Sequence, residues 1–214
     1  MKKTLLLLLL ILSAIQLAQA QYARFGAKAG GGYTRMYGDD SSSDVINSLP
    51  GFHVGLIGSY EFVSSLALQA ELLYEQKGLT YDGYPISTSE ALIDDQRLHY
   101  ITLPVLAKLQ KGGFFVEAGP YVGYLIEETT KVNIIDQASV NDPNPVILGE
   151  YGFEMSDFER WDYGYRIGLG IQLESGFFMS VHNTGGLRSF SKQLDQKNLG
   201  FMLSVGYMLA PRLP

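Results

Sequence analysis

The chain contains no cysteine, which excludes disulfides and thiolate metal sites and leaves a secreted domain to be stabilised by its sheet and its surroundings. Histidine is scarce too, with only His53, His99 and His182. Basic charge is short: setting Lys2 and Lys3 aside leaves 14 Lys and Arg against 22 Asp and Glu, a net of −8. That balance argues against a nucleic-acid partner. Beyond the first twenty residues no apolar run approaches the roughly 20 residues that a membrane-spanning helix needs. If the remainder is integral to a membrane, it has to cross as a closed barrel.

What is present begins with MKKTLLLLLLILSAIQLAQA. Lys2 and Lys3 form a charged n-region, Leu5–Leu12 an apolar core, and Ala18-Gln19-Ala20 a small-x-small cleavage site. Together these predict a secretory signal peptide over residues 1–20 and a mature domain over 21–214. Residue 21 is Gln, not Cys, so a lipoprotein anchor at this cut is excluded. Glycine and tyrosine are abundant, at 24 and 14 residues, a composition that points to β-structure in a single domain.

The most regular stretch is Trp161–Leu173, WDYGYRIGLGIQL. Every second residue is apolar or aromatic, and those between are polar or glycine. A strict period of two over thirteen residues is a β-strand with two chemically distinct faces. Strands of soluble domains usually run about 5–6 residues, whereas a tilted bilayer-crossing strand needs about 9–11. Seven further stretches repeat the pattern: 24–37, 51–62, 66–77, 97–109, 114–126, 177–183 and 198–209. Pro104 and Pro120 fall within two of them and predict local irregularities. The segments between are alternately long and short. Polar loops are expected at 38–49, 78–95, 127–160 and 185–196, and tight turns at 63–65, 110–113 and 174–176.

Eight long strands, an even count and alternating loop lengths predict an all-β, eight-stranded antiparallel up-and-down transmembrane β-barrel. Its short turns would face the periplasm and its long loops the outside. A soluble sandwich gives no reason for such alternation. A lipocalin-like barrel would have to turn Lys28, Glu71, Arg166 and Glu174 outward.

In order, GAKAGGGYTRM, PGFHVGLIGSYEF, LALQAELLYEQKGL, LHYITLPVLAKL, FFVEAGPYVGYLI, YRIGLGIQL and KNLGFMLSVGYML resemble the PorT-like outer-membrane β-barrel family across nearly all of the mature chain. The most specific pieces are Glu71-Leu72-Leu73-Tyr74 with Lys77-Gly78, and Leu103-Pro104 followed by Lys108. The resemblance implies an eight-stranded barrel and an outer-membrane address, and little about activity. The family's named member is associated with export of secreted proteases, a role that does not transfer on fold alone. Two features depart from the family. Val181-His182 stands before Asn183 where an Arg-Tyr pair is frequent, and MLAPRLP follows Tyr207 where such barrels tend to end on an aromatic residue.

Inward charges are expected at Lys28, Glu61, Glu71, Glu75, Lys77, Arg97, Lys108, Glu117, Asp162, Arg166 and Glu174. Eight strands leave an interior just wide enough for side chains, so charges of both signs are expected to pair there instead of lining an ion path. Tyr37, Tyr60, Phe62, Tyr74, Phe114, Trp161 and Tyr163 read as interfacial girdles. Ser180 and His182 share a strand face, the minimum for a barrel hydrolase, but no G-x-S-x-G motif occurs. Asp39–Asp44 is an acidic tip without the glycine and glutamate of a calcium loop. No cofactor or metal is expected. The sequence thus predicts a non-enzymatic monomer in outer-membrane lipid, structural or adhesive through its external loops. The alternative is an accessory of a secretion or envelope complex.

Overall fold

A computed structural model describes residues 23–38, 45–192 and 195–209. The expected leader at 1–20 and the acidic tip at 39–44 lie outside the described residues. The elements are β1 (Ala23–Tyr37), β2 (Ile46–Val63), β3 (Leu66–Pro85), β4 (Glu90–Lys111), β5 (Phe114–Asp136), β6 (Ile147–Tyr151), β7 (Trp161–Gln172), β8 (Phe177–Ser189) and β9 (Lys197–Met208). Each strand pairs antiparallel with the next, β5 passes to β7, and β9 returns to β1. Eight strands therefore close a ring. The ninth, β6, lies outside it, paired with Val132–Ile135 of β5.

Period two sorts the side chains as the alternation predicts. Phe25, Leu56, Leu72, Leu103, Val116, Ile167, Met179 and Leu203 point outward and are exposed, while Lys28, Glu71, Thr102, Glu117, Arg166, Ser180 and Ser204 are buried inside. The outward residues form a continuous apolar belt, far beyond the few hundred Å² that a soluble monomer leaves in water. Aromatic rings gather at both rims. Tyr124 and Trp161 meet at 5.1 Å and Phe52 and Tyr74 at 5.8 Å on one side. Tyr60 and Phe62 meet at 5.2 Å on the other.

The three short turns are where they were expected; Gly112 and Gly113 turn the chain between β4 and β5 with φ of 59° and 86°. The long connections differ. Much of 78–95 and 127–136 is strand, so that β4 reaches 22 residues and β5 23. The reason is a reversal of polarity. Past the belt the outer face meets water, so polar residues point out and apolar ones in. On β3 the buried Leu79 and Tyr81 alternate with the half-buried Thr80 and the exposed Asp82. Period two persists, but its sense is inverted, and the stretch reads as a polar loop.

Pro104 and Pro120 interrupt the ladder without shifting it: pairing passes from Pro104↔Tyr121 to Ala107↔Ala118 in the same register. The register shifts lie elsewhere, between Asp82 and Tyr84 and between His99 and Tyr100 among others. No helix among the described residues is long and apolar enough to cross a membrane.

Candidate functional site

The interior is built in three layers. At the short-turn end Ile57, Phe115, Phe178 and Met208 form a buried apolar cluster inside the ring. Phe115 and Phe178 meet edge to face at 6.4 Å. Lys108 lies over the Phe115 ring, 3.9 Å from its centroid, and donates to Gln172 Oε1 at 2.9 Å.

The middle layer carries the charges. Lys28 Nζ is 2.6 Å from Glu71 Oε2, and Arg166 Nη1 donates to the same oxygen at 2.9 Å. Arg166 Nη2 donates to Glu75 Oε1. Lys77 Nζ stands 3.6 Å from Glu75 Oε2 and 3.1 Å from Asp162 Oδ2. Asp162 Oδ2 also accepts from the Tyr121 hydroxyl and from Asn198 Nδ2, each at 3.0 Å. Gln69 Nε2 donates to Glu71 at 2.7 Å and to Glu117 at 3.2 Å. Three cations thus face three carboxylates, and Lys108 and Glu117 stand opposite each other on adjacent strands. Removing one charge from such a layer leaves its partner without compensation in a place that excludes water.

Beside this network His53 Nε2 lies 3.0 Å from Ser204 Oγ, which is 3.5 Å from His182 Nδ1. Gly30 makes room for the His53 ring, because a Cβ there would come within 2.5 Å of it. Ser180 and His182 are both buried on this face. Among the described residues no hydrogen bond joins them.

The third layer lies towards the long-loop end. Met36, Ile46, Leu79, Tyr81, Leu92, Leu98, Tyr100, Leu125, Val132, Phe158 and Phe190 form one buried cluster, with Phe153 and Met155 packed against it. The strand extensions make a cup, and the segment after β6 folds down into it. Beside this packing a cleft of about 360 Å³ remains, lined by Tyr81, Tyr84, Leu92, Tyr151, Phe153, Asp157 and Phe158 among others. Burial pushes the Tyr81 phenol well above its ordinary range, with Tyr84 and Tyr151 adding to it. Glu128 is also pushed up, by burial first and by the Asp157 charge second.

The structure gathers eight of the eleven expected inward charges in the bore: Lys28, Glu71, Glu75, Lys77, Lys108, Glu117, Asp162 and Arg166. Glu61 sits at the short-turn mouth, paired with Arg24 at 3.2 Å. Arg97 does not face inward. It shares the parity of Ile101 on β4 and pairs with Asp95 at 2.8 Å on the outer face of the cup, where water and not lipid surrounds it. Glu174 is exposed in the turn after β7, because the strand ends at Gln172 and the alternation ends with it.

Of the expected girdle, Tyr60, Phe62, Phe114, Trp161 and Tyr163 are exposed at the rims. Tyr74 is half-buried with its hydroxyl 2.6 Å from His99 Nδ1. Tyr37 is half-buried as well; its hydroxyl donates to the Gly186 carbonyl, so it braces the rim instead of facing lipid. The apolar plugs were not among the expected site residues. For the cluster at the short-turn end the signal in the sequence is the doublet: Leu56-Ile57, Phe114-Phe115 and Phe177-Phe178 each place an apolar residue where alternation calls for a polar one.

A family model described as outer membrane protein beta-barrel domain matches residues 16–192. No curated protein matches the chain. Among solved structures the chain is similar to Ail, the attachment invasion locus protein of Yersinia pestis, in complex with the heparin analogue sucrose octasulfate. The identity is 14%, with 88% of this chain and 99% of that one covered and a TM-score of 0.44. It is similar to Neisserial surface protein A at 9% identity, covering 86% and 96%, with a TM-score of 0.48. It is also similar to OprG from Pseudomonas aeruginosa at 14% identity, covering 88% and 97%, with a TM-score of 0.39.

Proposed function

This chain belongs to the outer membrane protein beta-barrel domain family, and from that premise we propose that it is a non-enzymatic surface-binding barrel whose interior is closed. The carrying observation is the contrast between its two ends. The bore is filled by an apolar plug, a paired charge layer and an apolar cap, while β3, β4 and β5 continue past the belt into a cup with its own core and cleft. Long loops mark the external face of such barrels, so the cup stands outside the cell. Its role is adhesive, or structural towards a neighbour at the surface.

A signal peptide cut after Ala20 delivers the mature chain to the outer membrane, where it works as a monomer in lipid without metal or cofactor. The Glu71-Leu72-Leu73-Tyr74 and Leu103-Pro104 segments support placing it near the PorT-like branch.

A second reading, an accessory of a secretion or envelope complex, draws support from β6. Among the described residues this edge strand pairs on one side only, and Ile147 and Leu148 on it, with Val146 just before it, are exposed. An open strand edge with apolar side chains can take up a partner's strand.

The test is a photo-crosslinking residue at Leu148 or at Ser175 in intact cells. The surface-binding reading expects products at Leu148 that protease added outside the cells removes. Products confined to Ser175 would put the partner in the periplasm and overturn it.

A further inference from the structure

The cleft in the cup combines two features that together define a ligand chemistry. The first is its wall of rings. Tyr81 and Tyr84 meet at 5.6 Å, Tyr151 and Phe153 at 4.7 Å, and Phe153 and Phe158 at 5.8 Å, all tilted towards one another and not stacked flat. Ring faces carry partial negative charge and attract cations within about 6 Å. The second is acidity. Asp157 closes the wall; its Oδ2 accepts from the Glu154 amide at 2.9 Å, and among the described residues Oδ1 takes no hydrogen bond. Behind it, the buried Glu128 Oε1 has no hydrogen-bond partner among the described residues either. The neighbouring cation, Lys192, donates its Nζ to the Ser156 carbonyl at 2.7 Å. The whole connection from 127 to 160 holds eight Asp and Glu against Lys131 and Arg160.

We propose that this cleft binds an alkylated ammonium cation. Rings alone would take any apolar group, and carboxylates alone any cation. A bare ammonium is strongly hydrated and costly to strip of water, whereas an alkylated one presents methyl groups to the rings and keeps its charge for Asp157. At about 360 Å³ the cleft lies near the lower end of the range for small-molecule sites, which suits a trimethylammonium-sized group. The same head occurs on lipid headgroups and on methylated lysine. The acidic surroundings disfavour the phosphate of a headgroup, so the cation of a peptide side chain is the preferred source. This assignment rests on the surface-binding reading above.

The test is calorimetric titration of the full chain refolded in octyl glucoside, which contains no choline lipid. The probes are choline, its neutral isostere 3,3-dimethylbutanol, glycerophosphocholine and a short peptide bearing trimethyllysine. Choline is expected to bind about tenfold tighter than the isostere, and the peptide tighter than glycerophosphocholine. Asp157→Asn and Tyr151→Leu should each weaken choline several-fold, and Ser175→Ala should change nothing. Tyr151→Leu keeps the apolar bulk at an exposed position and removes only the ring face, so it separates cation attraction from packing.

Equal binding of choline and its isostere would overturn the proposal, as would variants that bind as the parent does. A preference for glycerophosphocholine over the peptide would assign the cleft to a lipid headgroup and refute the peptide source. If choline fails while crosslinks at Leu148 persist, the cation assignment falls and the surface-binding reading stands. If both fail, both fall.

Discussion

Arg166 on β7 and Glu71 on β3 meet at 2.9 Å in the middle of the bore, 95 residues apart in sequence and both shielded from solvent. The pair ties opposite walls of the ring, and each partner has a further opposite charge: Lys28 for Glu71, and Glu75 for Arg166. Arg166→Met leaves Glu75 with Lys77 alone. The expected loss is about 3–5 kcal/mol in reversible unfolding from lipid vesicles, the usual cost of stranding a buried charge. Adding Glu75→Gln removes one charge of each sign and should recover most of that loss. A cost for Arg166→Met below about 1 kcal/mol would be the value of a solvated surface pair and would contradict the closed charge layer.

The outer face makes a depth-dependent prediction. Ile167 and Leu173 are equally exposed, at 55% and 54%, on the same face of the stretch Trp161–Leu173. They differ in position: Ile167 lies midway along the belt and Leu173 at its short-turn edge. In a bilayer an Arg costs about 2–4 kcal/mol at the midplane and about 0–1 near an interface. Ile167→Arg should therefore destabilise the vesicle-bound protein far more than Leu173→Arg. Equal costs would mean that no lipid surrounds this strand. Gly168, on the other face, is no neutral control, because a Cβ there would meet His182 and Glu117 at 3.0 and 3.2 Å.

Glu128 gives the cup a pH dependence. Burial and the Asp157 charge hold its folded-state proton affinity above the ordinary value of 4.5. The folded state therefore binds this proton more tightly than the unfolded state, and stability falls as pH rises from about that value through the raised one. Glu128→Gln should flatten this part of the profile in unfolding measured across the weakly acidic range. Identical slopes in parent and variant would show that the carboxyl is solvated.

Most of the barrel was legible in the sequence because two environments impose one period. Lipid outside and a crowded interior sort Phe25 from Lys28 and Ile167 from Arg166, and the loop lengths order the strands. What lay hidden has two physical causes. Beyond the belt the outside becomes water, so Leu79 and Tyr81 turn inward while Thr80 and Asp82 turn outward, and the inverted alternation resembles a loop. Arg97 follows from the same reversal; its parity with Ile101 was visible, but its surroundings were not. Within the bore, Ile57, Phe115 and Phe178 fill space that alternation assigns to polar groups, and only the doublets betray them. The cup's cleft joins Tyr81 and Tyr84 to Phe153 and Asp157 across some seventy residues, a juxtaposition that periodicity cannot supply.

The central claim, that the bore is closed and the work is done at the external cup, is tested most directly by conductance of the purified chain in planar bilayers. On the proposed reading, the apolar side chains around Phe115 and Phe178, the paired charges around Arg166 and the cluster around Tyr81 and Phe158 together close the bore. The expected result is a bilayer whose conductance stays at its protein-free level after insertion is verified by protease protection. A steady, porin-sized current would contradict it.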